Sequence, residues 1–243
     1  MTDTDSLSRQ IAAELDTLDA RTSLYAEHLD SGRVVAVRET TPMDTLSVIK
    51  IPIMVLAFRD VEAGRLDLDE RHTVVRDEIR NGTGILKLFA PGLQPTFRDI
   101  VTQMIVTSDN TATDIVVERI GLERVNEFLV ECGYAATRLQ RTVDAYFRRR
   151  WELVDPKNAT LSNWEVFERG FPSDEDAPKR DFEFEGKELE WLGTSTTQEM
   201  ARLLTQIYRC EIASQDHCKE MERILRGHYY LHFCVGRLTI PEK

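Results

Sequence analysis

An apolar run at residues 40–58, TTPMDTLSVIKIPIMVLAF, carries one polar pair, Ser47 and Lys50, where a plain core helix would carry Leu or Ala. Its pattern predicts a helix from about Ser47 to Ala63, ended by Gly64. Upstream, residues 5–18 read as an amphipathic helix. TSLYAEHLD and GRVVAVRE alternate as two strands joined at Ser31-Gly32. Downstream comes a glycine-rich loop, RNGTGILKLFAPGLQP. TFRDIVTQMIV is then helical with Thr96 as cap, and stops at Thr107-Ser108-Asp109-Asn110. TATDIVVERI and LERVNEFLVECG are two further helices separated by Gly121. From residue 144 to about 193 the text is rich in Arg, Asp, Glu and aromatics and holds no steady helical period. It reads as a long excursion, part lid and part loop, rather than a second domain. Regular pattern returns with a helix from about Thr197 and another over roughly 215–226. The closing VGRLTIPEK is an incipient strand or loop.

Composition narrows the classes. The chain has 243 residues, 42% hydrophobic and 30% charged, which suits one globular domain with a large insertion. A net charge of -11 argues against a nucleic-acid backbone or an anionic membrane as partner. No run approaches the roughly 18 apolar residues of a membrane span, and the acidic N-terminus lacks the basic and apolar regions of a secretory signal. The expectation is a soluble, cytoplasmic protein, or an extracytoplasmic one if a leader was removed. Cys132, Cys210, Cys218 and Cys234 show no C-x-x-C spacing and read as reduced thiols. His217, Cys218, His228, His232 and Cys234 bunch together, but in no zinc-like spacing, so neither a metal nor another cofactor is expected.

Two polar islands carry the candidate chemistry. Residues three apart share a helix face, so Ser47 Oγ and Lys50 Nζ can meet at the start of the helix. The apolar surroundings of Lys50 disfavour its ammonium form, which would let it act as a base toward the serine. The helix N-terminus would favour a developing oxyanion there. The alternative is a capping serine and a snorkelling lysine; about one S-x-x-K arises by chance in a chain of this length and average composition. The second island, Ser108-Asp109-Asn110, brings a hydroxyl and an amide to one tight loop between apolar helices; alone it would read as a cap for the helix from Thr111.

In this order and separation, the two islands resemble the S-x-x-K and S-D-N motifs of serine β-lactamases and penicillin-binding proteins. SVIKIPIMVLAF, NGTGILKLFAPG, TFRDIVTQMIVTSDNTATDIVVERIG, VNEFLVECGYAATRLQR and TSTTQEMARLLTQIY are similar to successive class A β-lactamase segments, from about residue 20 onward apart from the excursion. The resemblance implies an α/β (α+β) fold of the β-lactamase/transpeptidase type: an antiparallel five-stranded sheet flanked by helices, plus an all-helical lobe carrying the S-D-N loop. It further implies that Ser47 is the acylated nucleophile and that Lys50 accepts or relays its proton. Ser108 would shuttle a proton to the leaving nitrogen, Asn110 would bind the substrate's side-chain amide, and Asp109 would hold the loop through backbone hydrogen bonds.

Three departures qualify that picture. Where the family carries its deacylating glutamate the chain has Val143, with Asp144 as first substitute and Glu152, in an Arg-Trp-Glu echo, as second. The excursion at 144–193 enlarges the Ω-loop region several-fold. No K-T-G triad is present, and the resemblance then implies that the C-terminal strands are missing, as in a fragment or a truncated gene product, which would leave the two N-terminal strands with an unpaired edge. The leading expectation is a serine hydrolase opening a β-lactam or related small amide through an acyl-enzyme on Ser47. The alternatives are an acyltransferase, esterase or peptidase of the penicillin-binding type with slow deacylation, and a non-catalytic binding protein of the same fold.

Overall fold

A computed structural model describes residues 3–228. Helix α1 (Asp3–Leu15) packs on a hairpin of strands β1 (Leu24–His28) and β2 (Arg33–Val37), paired from Leu24↔Val37 to His28↔Arg33. Among the described residues this hairpin is a two-stranded sheet. The helix ends at Leu15, earlier than its sequence pattern suggests, and residues 16–20 turn instead. After the short strand β3 (Met43–Asp44), residues Leu46–Ile49 wind as a 3-10 turn that leads into α2 (Lys50–Glu62).

α2 is the centre of the molecule. Ile53, Met54, Val55, Leu56, Ala57 and Phe58 are all buried in succession, which a helix permits only when it is covered on every side. The cover comes from α3 (Phe97–Val106), α4 (Asn110–Ile120), α5 (Leu122–Glu131) and, from the far end of the chain, α10 (Gln215–Arg226). α3 begins as its sequence predicts: Thr96 accepts from the Asp99 N–H while Asp99 accepts from the Thr96 N–H, a closed capping box. Strand β4 (Arg138–Leu139) then joins the second sheet, in which β5 (Gly193–Ser195) lies between β3 and β4, all antiparallel. The next helix, α9 (Thr197–Tyr208), covers β1.

The excursion corrects the sequence reading. Instead of loop it is largely helical: α6 (Val143–Val154), α7 (Asn163–Arg169) and α8 (Ala177–Glu185). A period is present in α6 at Val143, Tyr146, Phe147 and Trp151, but position 150 of the same stripe is an arginine. Arg150 is folded inward over the Tyr146 and Phe184 rings, at 5.0 Å and 4.8 Å, and its charge is met by Asp181 and Glu185. A half-buried arginine therefore takes a place that an apolar residue normally fills, and the hydropathy pattern conceals the helix. The helix starts are capped by Thr142 and by a Ser162/Glu165 box.

Among the described residues, no helix is long and apolar enough to cross a membrane, and no group of three or more His, Cys, Asp and Glu could hold a metal ion. His232, Cys234 and the segment VGRLTIPEK lie outside the described residues.

Candidate active site

The 3-10 turn places Ser47 on the surface, while one residue past its end Lys50 is 1% exposed. A lysine so deep in apolar packing must find acceptors or lose its proton. Lys50 Nζ contacts Ser108 O at 2.6 Å, Asn110 Oδ1 at 2.9 Å and Ser108 Oγ at 3.0 Å. Burial pulls its pKa down to about 7, against the opposing charges of Asp109 and Asp114. Two of the three contacts are carbonyl-type oxygens that only accept, and the third is a hydroxyl that can reverse. A neutral amine has two N–H bonds and one lone pair, so the same geometry fits it: two donations, and one acceptance from Ser108 Oγ–H.

Ser108 Oγ in turn lies 2.8 Å from Ser47 Oγ. The direct Ser47–Lys50 meeting that their spacing permits is thus replaced by a relay, Ser47 to Ser108 to Lys50. The cause is the SDN loop, whose carbonyl and amide oxygens draw the ammonium toward themselves.

That loop is held tightly. Ser108 sits at φ +53°, a conformation few residues other than glycine adopt and one that surrounding contacts must enforce. Asp109 supplies the enforcement. It caps α4 through Oδ1 to the Ala112 N–H at 2.9 Å, and its Oδ2 accepts from the Ile85 and Leu86 N–H groups at 2.6 and 2.8 Å. The 82–86 loop is therefore clamped onto the Ser108-Asp109-Asn110 loop. Gly84, at φ +114°, approaches so closely that a Cβ there would stand 2.3 Å from Asp109 Cγ, so no other residue fits. Thr83 completes the clamp, donating from Oγ1 to Ser108 O at 2.6 Å. Asn110 gives its amide N–H to Asn81 O at 2.7 Å, so both ends of its side chain are engaged.

Ser47, Lys50 and Ser108 line one cavity of about 600 Å³, together with Thr83, Asp44 and His228. Burial, and secondarily the Lys50 charge, push the His228 imidazole below its ordinary pKa. Neither Asp144 nor Glu152 lines this cavity. Asp144 pairs with Arg148 at 2.9 Å and Glu152 with Arg149 at 3.1 Å, both along α6. The N-terminus of that helix is anchored by Asp114 on α4, which accepts from the Val143 and Asp144 N–H groups, each at 2.8 Å, and from Arg80 Nε at 2.7 Å. Burial raises the Asp114 carboxyl while Arg80 opposes it. Val143 itself is buried in the core.

Sequence reasoning missed Thr83, Asp44 and the Arg80–Asp114 pair, and considered His228 only as a metal ligand. For Thr83 a signal existed: two glycines flanking one hydroxyl mark a backbone pressed against something else.

Comparison with known proteins bears on the fold and the family. The fold matches a beta-lactamase from Sphaerobacter thermophilus with a TM-score of 0.73 at 22% identity, over 100% of this chain and 76% of that one. An acyl-enzyme complex of a PBP-A variant with penicillin G matches at 0.67 and 25%, over 92% and 69%. An ancestral class A beta-lactamase matches at 0.67 and 20%, over 91% and 71%. The shared architecture is the β-lactamase/transpeptidase fold. No curated protein matches the sequence. The family model described as the beta-lactamase enzyme family matches residues 6–241, nearly the whole length, and the chain therefore belongs to that family.

Proposed function

We propose that Ser47 is the nucleophile of a serine hydrolase that opens a β-lactam or related small amide through an acyl-enzyme. The observation that carries this reading is the unbroken hydrogen-bond line from Ser47 Oγ through Ser108 Oγ to a buried Lys50 whose pKa is drawn down to about 7. Near pH 7 a substantial fraction of Lys50 is neutral. It then accepts the Ser108 proton as Ser108 accepts that of Ser47, and Ser47 Oγ attacks the carbonyl. On collapse of the tetrahedral intermediate the relay runs backward, and Ser108 delivers the proton to the leaving nitrogen. The Ser47 N–H, at the head of the 3-10 turn and α2, is one donor available to the oxyanion.

A second reading, transfer or slow release of the acyl group as in penicillin-binding proteins, is favoured by one observation. Asp144 and Glu152, the carboxylates nearest in sequence to the family's glutamate position, are turned into arginine pairs along α6.

Incubation with a fluorescent penicillin tests the common core of both readings. Wild type is expected to gain a covalent label and the corresponding mass, and Ser47→Ala neither. Equal labelling of the two would remove Ser47 from the reaction. Rapid release of the label from wild type favours the hydrolase, and persistence favours the second reading.

A further inference from the structure

Ser47 stands in the chain between two aliphatic residues that are open to solvent. Leu46 is 52% exposed and Val48 45%, and both line the Ser47 cavity. Ile51 joins them from the first turn of α2 and Leu225 from α10, each partly buried. Aliphatic surface beside a nucleophile stays in contact with water until something apolar covers it. Leu46 also sits at φ +42°, in the left-handed region that Gly or Asn fills with less strain than a leucine. Asp44 Oδ1 holds that bend, accepting from the Leu46 N–H at 3.0 Å. Core packing does not account for a leucine there, since half of its surface is open; contact with an apolar ligand does.

Charge is scarce around the same cavity. Among the described residues its titratable groups are Asp44, Lys50 and His228, and no arginine lines it. Burial shifts each of the three toward its uncharged form: the carboxyl upward, the lysine down to about 7, the imidazole downward. Lys50 Nζ is in addition committed to Ser108 O, Ser108 Oγ and Asn110 Oδ1. An anionic group on a substrate would bear the same desolvation cost.

We infer that the Ser47 site selects an uncharged amide or ester whose acyl group is aliphatic, seated against Leu46, Val48, Ile51 and Leu225. The inference rests on the reading of Ser47 as nucleophile and narrows the substrate class of that site. With an ester, Ser47 Oγ bonds to the acyl carbon, the bond from that carbon to the alcohol oxygen breaks, and the alcohol leaves with the proton relayed through Ser108.

The test uses the full chain with p-nitrophenyl acetate, butyrate and hexanoate, and with penicillin G beside its neutral methyl ester. Each probe is read as an adduct by intact mass and as a rate of acylation. Complete burial of one methylene is worth about 4-fold, so even in an open groove kcat/KM should rise about 10-fold or more from acetate to hexanoate. The penicillin methyl ester should acylate at least as fast as the acid. Leu46→Asn suits the left-handed bend, so the thermal midpoint should hold while the hexanoate-to-acetate ratio falls by about 3-fold. Val48→Thr, of the same shape, should lower the ratio as well. A wild-type rate that is flat with chain length, a penicillin acid that acylates faster than its ester, or a ratio untouched by both substitutions overturns the inference. If Leu46→Asn loses its thermal transition, an unchanged ratio in Val48→Thr alone overturns it. Equal adducts on wild type and Ser47→Ala, or none from any probe, overturn the reading beneath it instead.

Discussion

The SDN loop and the helical excursion both fix charged side chains to the body of the protein, by opposite means. In the loop, Asp109 is 1% exposed, and its carboxylate accepts from three backbone N–H groups while Lys50 ties the neighbouring Ser108 and Asn110 to α2. In the excursion, pairs such as Arg149–Glu190 lie partly open to water, with side-chain exposures of 37% and 16%. Buried, fully partnered groups fix atoms to within tenths of an ångström, and removing one partner strands the others. Partly solvated pairs hold a surface in place without specifying it finely, and each contributes little. A relay three atoms long needs the first kind of support; a helical excursion that contributes no residue to the cavity lining needs only the second.

The largest expected effect follows from breaking the relay. Ser108→Ala removes the hydroxyl between Ser47 and Lys50, and acylation by a fluorescent penicillin should slow by about 10³-fold, within the range lost with a proton-transferring group. The thermal midpoint should move little, because Lys50 keeps Ser108 O and Asn110 Oδ1. A rate within a few fold of wild type would mean that Lys50 reaches Ser47 without Ser108.

The next effect tests the clamp rather than the chemistry. Gly84→Ala drives a methyl group into Asp109 from a φ of +114° and should destabilise the fold by about 3 kcal/mol in urea titration, through strain and overpacking together. A loss below about 1 kcal/mol would show that the loop is as yielding as the excursion.

These two regions also differed in how far they could be read from the sequence. Ser47, Lys50, Ser108 and Asn110 were singled out because two short motifs in the right order resemble those of a known family, and the structure brings them into one hydrogen-bonded cluster; the helices behind them have clean apolar periods. α2 was placed with its start a turn too early, because a 3-10 lead-in and an α-helix share the same apolar spacing over four residues. The hydroxyl route through Ser108 was not legible, since it depends on where the loop directs its carbonyl groups. Asp44 was passed over because one carboxylate in an apolar run carries no spacing signal. The excursion was misread for a physical reason: Arg150 occupies the buried stripe of α6 and pairs with carboxylates 31 and 35 residues later. Long-range charge pairing leaves no local period.

The pH dependence of Lys50 separates the regions a third way. Its pKa is about 7 folded and near 10.4 unfolded, so between those values the unfolded chain binds more protons. Stability should therefore rise with pH from about 7 toward 10, as the cost of burying an ammonium disappears. Lys50→Met should flatten that slope while leaving the contributions of other groups in place. In wild type the acylation rate should climb through about pH 7 in parallel, as the lysine loses its proton. A wild-type stability slope equal to that of Lys50→Met would place the proton on Lys50 throughout and end its role as base.

The smallest effect is expected where the charges are most numerous. Glu190 bridges Arg149 at 2.9 Å and Arg141 at 3.2 Å, holding the segment before β5 to the middle of α6 and to the residues that lead into it. Glu190→Gln keeps the size and one acceptor oxygen, so it should cost no more than about 1 kcal/mol. The difference from wild type should shrink further in 1 M salt, where the screening length falls to about 3 Å. Acylation of Ser47 should stay within about 2-fold, because neither arginine touches the Ser47–Ser108–Lys50 line. A larger fall in acylation at unchanged stability would mean that the excursion helps to position substrate, and would give the weakly held region a functional demand on precision like that of the loop.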